Sequence, residues 1–331
     1  LENGQSAIAL TDHGYLYGAF KFYDACKGVK VKPILGCEFY VVDDVNTKYT
    51  AVDGSVRRFE YHQTVLAMNQ EGWENLCELA SLACRDHYYH VPRIDFRMLF
   101  ERSAGLIVLS GCFKGAVAWY LQQHNPETAA DLPWHRTDPD RSRQYMRMFK
   151  QAFGDRYYCE LQSIDYGQYM QAVPMIRQLA AEEGVPCVVT NDCHYEVAED
   201  AALQSLLSRV SSSGEGVGDG IGSNRSVSGP YYIKSRTEIT HPTFTSDMFD
   251  RTCEIAERCN VNLDFKGYLF PTYDMTADVD WTAFQATTGK EIAMITEMSP
   301  REVVVPHGTQ VHTRTSHPET SHAAATAVRE R

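Results

Sequence analysis

The sequence contains no Cys-x-x-Cys pair, no uninterrupted apolar run of about 18 residues, and no surplus of positive charge. Ten cysteines stand at irregular spacings, several inside apolar runs (Cys77, Cys84 and Cys187), which excludes a disulfide framework and points to reduced thiols in a cytoplasmic protein. The lack of long apolar runs excludes a membrane-spanning helix. From Leu1 onward, where no initiator methionine stands, the residues show no charged, apolar, small-residue leader pattern, so none is expected before the fold. Charge is lopsided: 31 basic against 43 acidic residues give a formal net charge of −12, so the surface as a whole lacks the positive field that wraps nucleic acid. A local phosphate site built on bound cations stays open, because such ions invert the electrostatics around them. The 331 residues, 44% of them hydrophobic, supply core for one large barrel or two domains.

What is present is a recurring kind of strand end. Ala-Ile-Ala-Leu-Thr-Asp-His (7 to 13) and Pro-Cys-Val-Val-Thr-Asn-Asp-Cys-His (186 to 194) are short apolar, β-branched runs that stop at metal-binding side chains, Asp12 with His13 and Asp192 with His194. Two further runs stop at Glu38 and Cys112. A strand, loop and helix repeated around a closed sheet collects such ends at one mouth, where (β/α) barrels place their chemistry. Asp192 and His194, at alternate positions, are expected to point the same way from a strand end, with Cys193 facing the other side. An Asp after a strand also serves as a helix cap, and a free cysteine is commonly a packing thiol. His62 lies before its apolar run rather than after it, the least expected position of the set.

Strand and helix signals alternate through most of the chain, the α/β pattern. Leu16, Phe20 and Tyr23 share a helical face that Gly28 ends; Trp73, Leu76, Leu79, Ala80 and Ala83 mark a second helix; 168 to 183 is a helix interrupted by Pro174. Residues 125 to 140 read as an exposed connection, and 211 to 229, dominated by Ser and Gly, as a mobile loop. Beyond about residue 273 the alternation fades. The stretch 274–331 reads as a poorly ordered tail or separate small element, and its histidines (His307, His312, His317, His322) fit no tight metal spacing. His87, His90, His124, His135 and His241 read as surface or structural.

The run Ala-Leu-Thr-Asp-His-Gly-Tyr-Leu-Tyr-Gly-Ala-Phe-Lys-Phe-Tyr, followed by Val-Lys-Pro-Ile-Leu-Gly-Cys-Glu-Phe-Tyr-Val, resembles the PHP (polymerase and histidinol phosphatase) domain of the alpha subunit of bacterial DNA polymerase III. Further matches follow in family order: His62 with Val-Leu-Ala-Met-Asn, Pro92-Arg93-Ile94-Asp95, Leu109-Ser110-Gly111-Cys112, Glu160-Leu161-Gln162, Thr190-Asn191-Asp192 with His194-Tyr195, and Ile255-Ala256-Glu257-Arg258-Cys259-Asn260. The resemblance spans roughly residues 7 to 273.

The resemblance implies a distorted (β/α)7 barrel over residues 1–273, incomplete at its amino-terminal strand, with divalent metals at its mouth. Position by position it implies ligands at His13, Glu38, His62, Cys112, Asp192 and His194, with Glu38 bridging metals and Asp192, His194 and Glu38 serving catalysis. Imidazole, carboxylate and thiolate together suit zinc; the carboxylates also admit manganese or magnesium. Phosphoester hydrolysis, including removal of mismatched 3′ nucleotides, is the implied reaction. The implied partners are DNA, reached through the parent polymerase, and proofreading and other replisome subunits. The family opens with a His-x-His strand and a further ligand, none of which this chain contains. The resemblance therefore implies an amino-terminally truncated product without the polymerase module, holding fewer than three metals and hydrolysing weakly or not at all. After Cys112, Lys114 and Ala116 replace a small residue and a carboxylate typical of the family. A free-standing phosphatase of the histidinol phosphatase type and a metal-free scaffold are the alternatives. The segment Thr313 to Ala324 is similar to a short stretch found in some phage-encoded proteins.

Overall fold

The computed structural model describes residues 4–47, 49–50, 56–57, 59–123, 137–164, 167–212, 230–264, 272–273 and 303–304. The chain divides into two compact units, Leu1–Leu263 and Asp264–Arg331. In the second, Thr272–Tyr273 and Val303–Val304 pair antiparallel; the rest of the expected tail, 274–331, lies outside the described residues.

The first unit is a mixed α/β fold built on one curled sheet of the distorted-barrel type. Its strands are β1 (Ala7–Leu10), β2 (Lys32–Val42), a separate small hairpin of β3 (Tyr49–Thr50) and β4 (Val56–Arg57), β5 (Tyr61–Ala67), β6 (Tyr88–Tyr89), β7 (Val91–Asp95), β8 (Leu106–Leu109), β9 (Tyr157–Gln162) and β10 (Cys187–Thr190). The sheet runs β10-β9-β8-β5-β2-β7-β6, with β1 also on β2. The long β2 pairs β5 along one edge; on the other it holds β1 against residues 32–35 and β7 against residues 40–42. Strand β5 is antiparallel to both its neighbours, β2 and β8, whereas the β1–β2, β2–β7, β8–β9 and β9–β10 pairs are parallel.

Alternation along each strand gives the sheet two faces of different character. Cys37, Phe39, Val41, Val65, Ala67, Leu106, Val108, Cys159, Leu161 and Val189 join the larger core, which is completed by helices α1 (Ala19–Gly28), α2 (Gln70–Arg85), α3 (Phe96–Glu101), α4 (Ala116–Trp119), α5 (Pro139–Phe153) and α6 (Gly167–Glu183). Fully burying each large apolar side chain there contributes about 1.5–3 kcal/mol. The intervening residues face inward. Ile34, Leu66, Ile107, Leu109, Tyr158 and Val188 make a smaller apolar layer with Ile255 and Cys259, and Glu38, His62, Thr64, Glu160, Gln162 and Thr190 continue the same faces as a polar layer. Helix α7 (Ala201–Ser212) follows β10, and α8 (Ser246–Arg258) packs against both β10 and β1, the two strands that do not pair with each other. Lys32 Nζ donates to the Ala256 carbonyl at 2.5 Å and Arg251 to the Cys187 carbonyl at 2.8 Å, fixing α8 across that gap.

Local chemistry sets the helix starts. Asn69 caps α2, its side chain accepting from Gly72 N–H at 2.9 Å; Asp95 caps α3; Asp138 caps α5 ahead of Pro139. Several expectations need correction. Helix α1 begins after Leu16, and Phe20 is exposed, stacking edge-on with Trp73 rather than joining the buried face of Ala19, Tyr23 and Cys26. Strand β2 does not stop at Glu38: Phe39, Tyr40, Val41 and Val42 are strand formers with partners on β5 and β7. Helix α6 runs through Pro174. Helix α7 extends through residues 211 and 212, and the remainder of the expected Ser/Gly loop, 213–229, lies outside the described residues, as does 124–136 of the expected connection.

Candidate metal centre

The centre is assembled from five segments. His13 follows β1 and makes a parallel bridge with Glu38; the Glu38 N–H donates to Asp12 O at 3.0 Å and the Gly14 N–H to Glu38 O at 2.9 Å, so the β1 extension is laced to β2 beside the carboxylate. His62 begins β5. Because β5 is antiparallel, its first residues lie at the end of the sheet where the parallel strands finish. Its imidazole Nδ1 stands 2.6 Å from Glu38 Oε1, and that of His13 3.6 Å from the same oxygen. Ligand atoms of His13, Glu38 and His62 all fall within 4.8 Å of one another.

Cys112 lies in the turn after β8, its sulfur 3.8 Å from Glu38 Oε1 and 3.6 Å from His62 Nδ1. That turn needs Gly111, at φ 85°, because a Cβ there would stand 2.1 Å from the His62 carbonyl oxygen. The fifth segment carries Asp192 and His194. Both lie beyond the end of β10, and Asp192 has φ 49°, so the expected alternation of an extended strand does not hold; a left-handed turn and contacts with 230–232 orient the loop instead. His194 is brought to 5.9 Å from His13, centroid to centroid. Its Nδ1 meets the Asp192 carbonyl oxygen at 2.7 Å; since a carbonyl only accepts, Nδ1 is the donor and Nε2 is the ring atom turned away from that bond. Cys193 turns aside, donating to Tyr232 O. The six residues thus gather at one end of the sheet. Glu38, His62 and Cys112 are deep, whereas the His13 side chain is 42% exposed and that of His194 28%, so the group opens to solvent on the side of those two rings.

Electrostatics set the protonation states. Burial resists the charge on Glu38, but the His62 ring, with His13 and His194 adding to it, outweighs that resistance, and the carboxyl is held down at about 2. Burial holds His62 down at about 4 against the pull of Glu38, so the ring is neutral with Glu38 ionised. The Cys112 thiol is pushed well up by burial and then by the Glu38 charge. The neutral His62 ring, the ionised Glu38 carboxylate, the Cys112 thiol and the neighbouring His13 and His194 imidazoles form a donor set that fits a divalent cation, zinc by its nitrogen and sulfur, manganese or magnesium by its oxygens. A thiol this reluctant to ionise releases its proton only to a strong competitor.

Sequence reasoning missed the aromatic frame. Tyr40 stacks on His13 and meets His62 edge-on, and Tyr231 meets His194 edge-on. The alternation of Tyr40 with Glu38 was the available signal for the first; nothing in sequence placed Tyr231 beside residue 194.

Residues 1–164 match the family described as the PHP domain. Three similar proteins carry the name DNA polymerase III subunit alpha: those of Treponema pallidum, 32% identical over 282 residues; Deinococcus radiodurans, 34% over 273; and Chlamydia trachomatis, 32% over 298. These matches cover 82%, 79% and 81% of this chain, so they run beyond the 164 residues of the family match, and 22%, 19% and 23% of the relatives. The chain spans about a fifth of the length of the relatives it matches.

Proposed function

Residues 1–164 of this chain belong to the PHP family, and from that premise we propose that the centre is a divalent-cation site for phosphoester hydrolysis at 3′ ends of DNA, within the alpha-subunit lineage of replicative polymerases. The observation that carries this reading is the approach of His13, Glu38 and His62 to within 4.8 Å of one another. His13, Glu38, His62, Cys112, Asp192 and His194 would hold zinc or manganese, with magnesium admitted by the carboxylates. When bound, a cation there supplies Lewis-acid polarisation of a phosphate oxygen and of a water. The protein's own groups hold the charge and the lone pairs. Glu38 remains an anion throughout the physiological range, His62 keeps a neutral ring, and His194, with the less exposed Asp192 beside it, stands at the solvent side where a phosphate would enter. The name of the relatives, a subunit of a DNA polymerase, supports DNA and fellow polymerase subunits as partners, and the proposal adds proofreading and replisome subunits in the cytoplasm; no described helix is long and apolar enough to cross a membrane.

The test is elemental analysis after supplementation with zinc or manganese, followed by trimming of 5′-labelled single-stranded DNA. Retained metal, with at most weak 3′-end removal that His13→Ala reduces to background, is expected. Turnover of histidinol phosphate instead would favour a free phosphatase, and metal-loaded protein inert on both substrates would favour a scaffold.

A further inference from the structure

A second buried carboxylate, Glu160, occupies the same interior face as Glu38 and is only 4% exposed. Its two oxygens accept four hydrogen bonds. Oε1 receives the Thr190 hydroxyl at 2.5 Å and Gln162 Nε2 at 3.0 Å; Oε2 receives the Gly111 N–H at 3.1 Å and the Thr64 hydroxyl at 3.2 Å. Thr64 is two residues after His62, Gly111 is one before Cys112, and Thr190 is two before Asp192. One carboxylate thus ties together the three segments that deliver those ligand candidates. The Glu160 N–H also donates to Ser110 Oγ at 2.8 Å, which fastens the start of the Cys112 turn to β9 a second time.

We propose that Glu160 is the positioning residue of the centre: its hydrogen bonds set the relative placement of His62, Cys112 and the Asp192–His194 loop. This rests on the metal-site reading above. A carboxyl group suits the task because ionised it presents only acceptors and protonated its single O–H can be taken by a threonine hydroxyl, while the main-chain N–H at Gly111 cannot be turned away from it. Alanine would leave four donors buried without that acceptor, each lost bond exposing the desolvation penalty of its donor. Groups that orient metal ligands from behind are typically worth about 10- to 100-fold in metal affinity. Glutamine is a milder change. Its carbonyl can keep the Gly111 and Thr64 bonds, and its amide can face Thr190 and the Gln162 carbonyl, an oxygen with no partner in the native arrangement, after that amide flips.

The expected order of zinc affinity, measured by competition with a chromophoric chelator, is wild type, then Glu160→Gln and Thr190→Val each several-fold weaker, then Glu160→Ala weaker by about 10- to 100-fold. In the metal-free protein, the ring 15N signals of His62 and His194 should shift or broaden in Glu160→Ala, while His241, far from the hub in the chain, stays put. A role confined to general stability would lower the urea midpoint and leave those ring signals unmoved, and that result overturns the inference. If Glu160→Ala does not fold, the two near-isosteric variants decide, and wild-type zinc affinity and ring spectra in both would sink it. Should the wild type itself take up no zinc, the metal reading fails while the metal-free ring spectra still judge the positioning role.

Discussion

At Glu160 burial dominates, and desolvation pushes the carboxyl up to about 7 even though Thr190 and Gln162 donate to it. The folded state therefore holds a proton that the unfolded chain releases near 4.5. Its contribution to stability is fully present below about pH 4.5 and is lost as pH rises through about 7, worth on the order of 3 kcal/mol. In metal-free protein, the advantage of wild type over Glu160→Gln should shrink across that window when urea unfolding is followed at successive pH values; a constant difference would contradict it. His62 acts in the opposite sense. Its ring, neutral down to about pH 4 when folded, charges near 6.5 when unfolded, so its contribution is present above about 6.5 and is lost as pH falls toward 4. Metal should follow the same direction, leaving the protein as acid protonates its ligands. Replacing His194 with alanine removes one exposed donor at the rim, and the zinc retained per chain should fall while the fold persists. Unchanged metal content by elemental analysis would remove His194 from the set.

At the scale of elements, the centre depends on how closely β5 approaches the turn after β8. His62 N–H donates to Lys114 O at 3.1 Å, and Gly111 lies against the His62 carbonyl. Gly111→Ala must find room for a Cβ within 2.1 Å of a backbone oxygen at φ 85°. Backbone strain alone costs about 1–3 kcal/mol, and the clash pushes His62 away from Cys112. We expect the urea midpoint and the zinc content to drop together; loss of stability with full metal retention would show that the two segments move as one body. The antiparallel course of β5 also accounts for the odd sequence position of His62. A histidine ahead of its apolar run looks misplaced if every strand runs alike, but on a reversed strand the leading residue lies where the others trail.

For the whole molecule, the residues that make the sheet, the helices on it and the six gathered side chains all fall within the unit Leu1–Leu263. A chain ending at Leu263 should keep the cooperative unfolding transition and the metal content of the full chain, measured by urea denaturation and elemental analysis. Failure of that shorter chain to fold would place essential contacts beyond residue 263.

The sequence by itself determined the strand and helix alternation, because period-two and period-3.6 apolar patterns report directly on which faces are buried. It also determined which side chains have metal-binding chemistry, since imidazole, carboxylate and thiol groups at run ends are visible in one dimension. Only the tertiary structure decided that β2 continues past Glu38, that α8 spans the unpaired strands β1 and β10, and that Asp192 and His194 are presented by a left-handed turn. It alone decided that Glu160 sits behind three of the ligand-bearing segments. Those outcomes depend on strand order and direction, set by contacts between residues as far as 224 positions apart, and a local pattern carries no record of which distant segment will lie beside it.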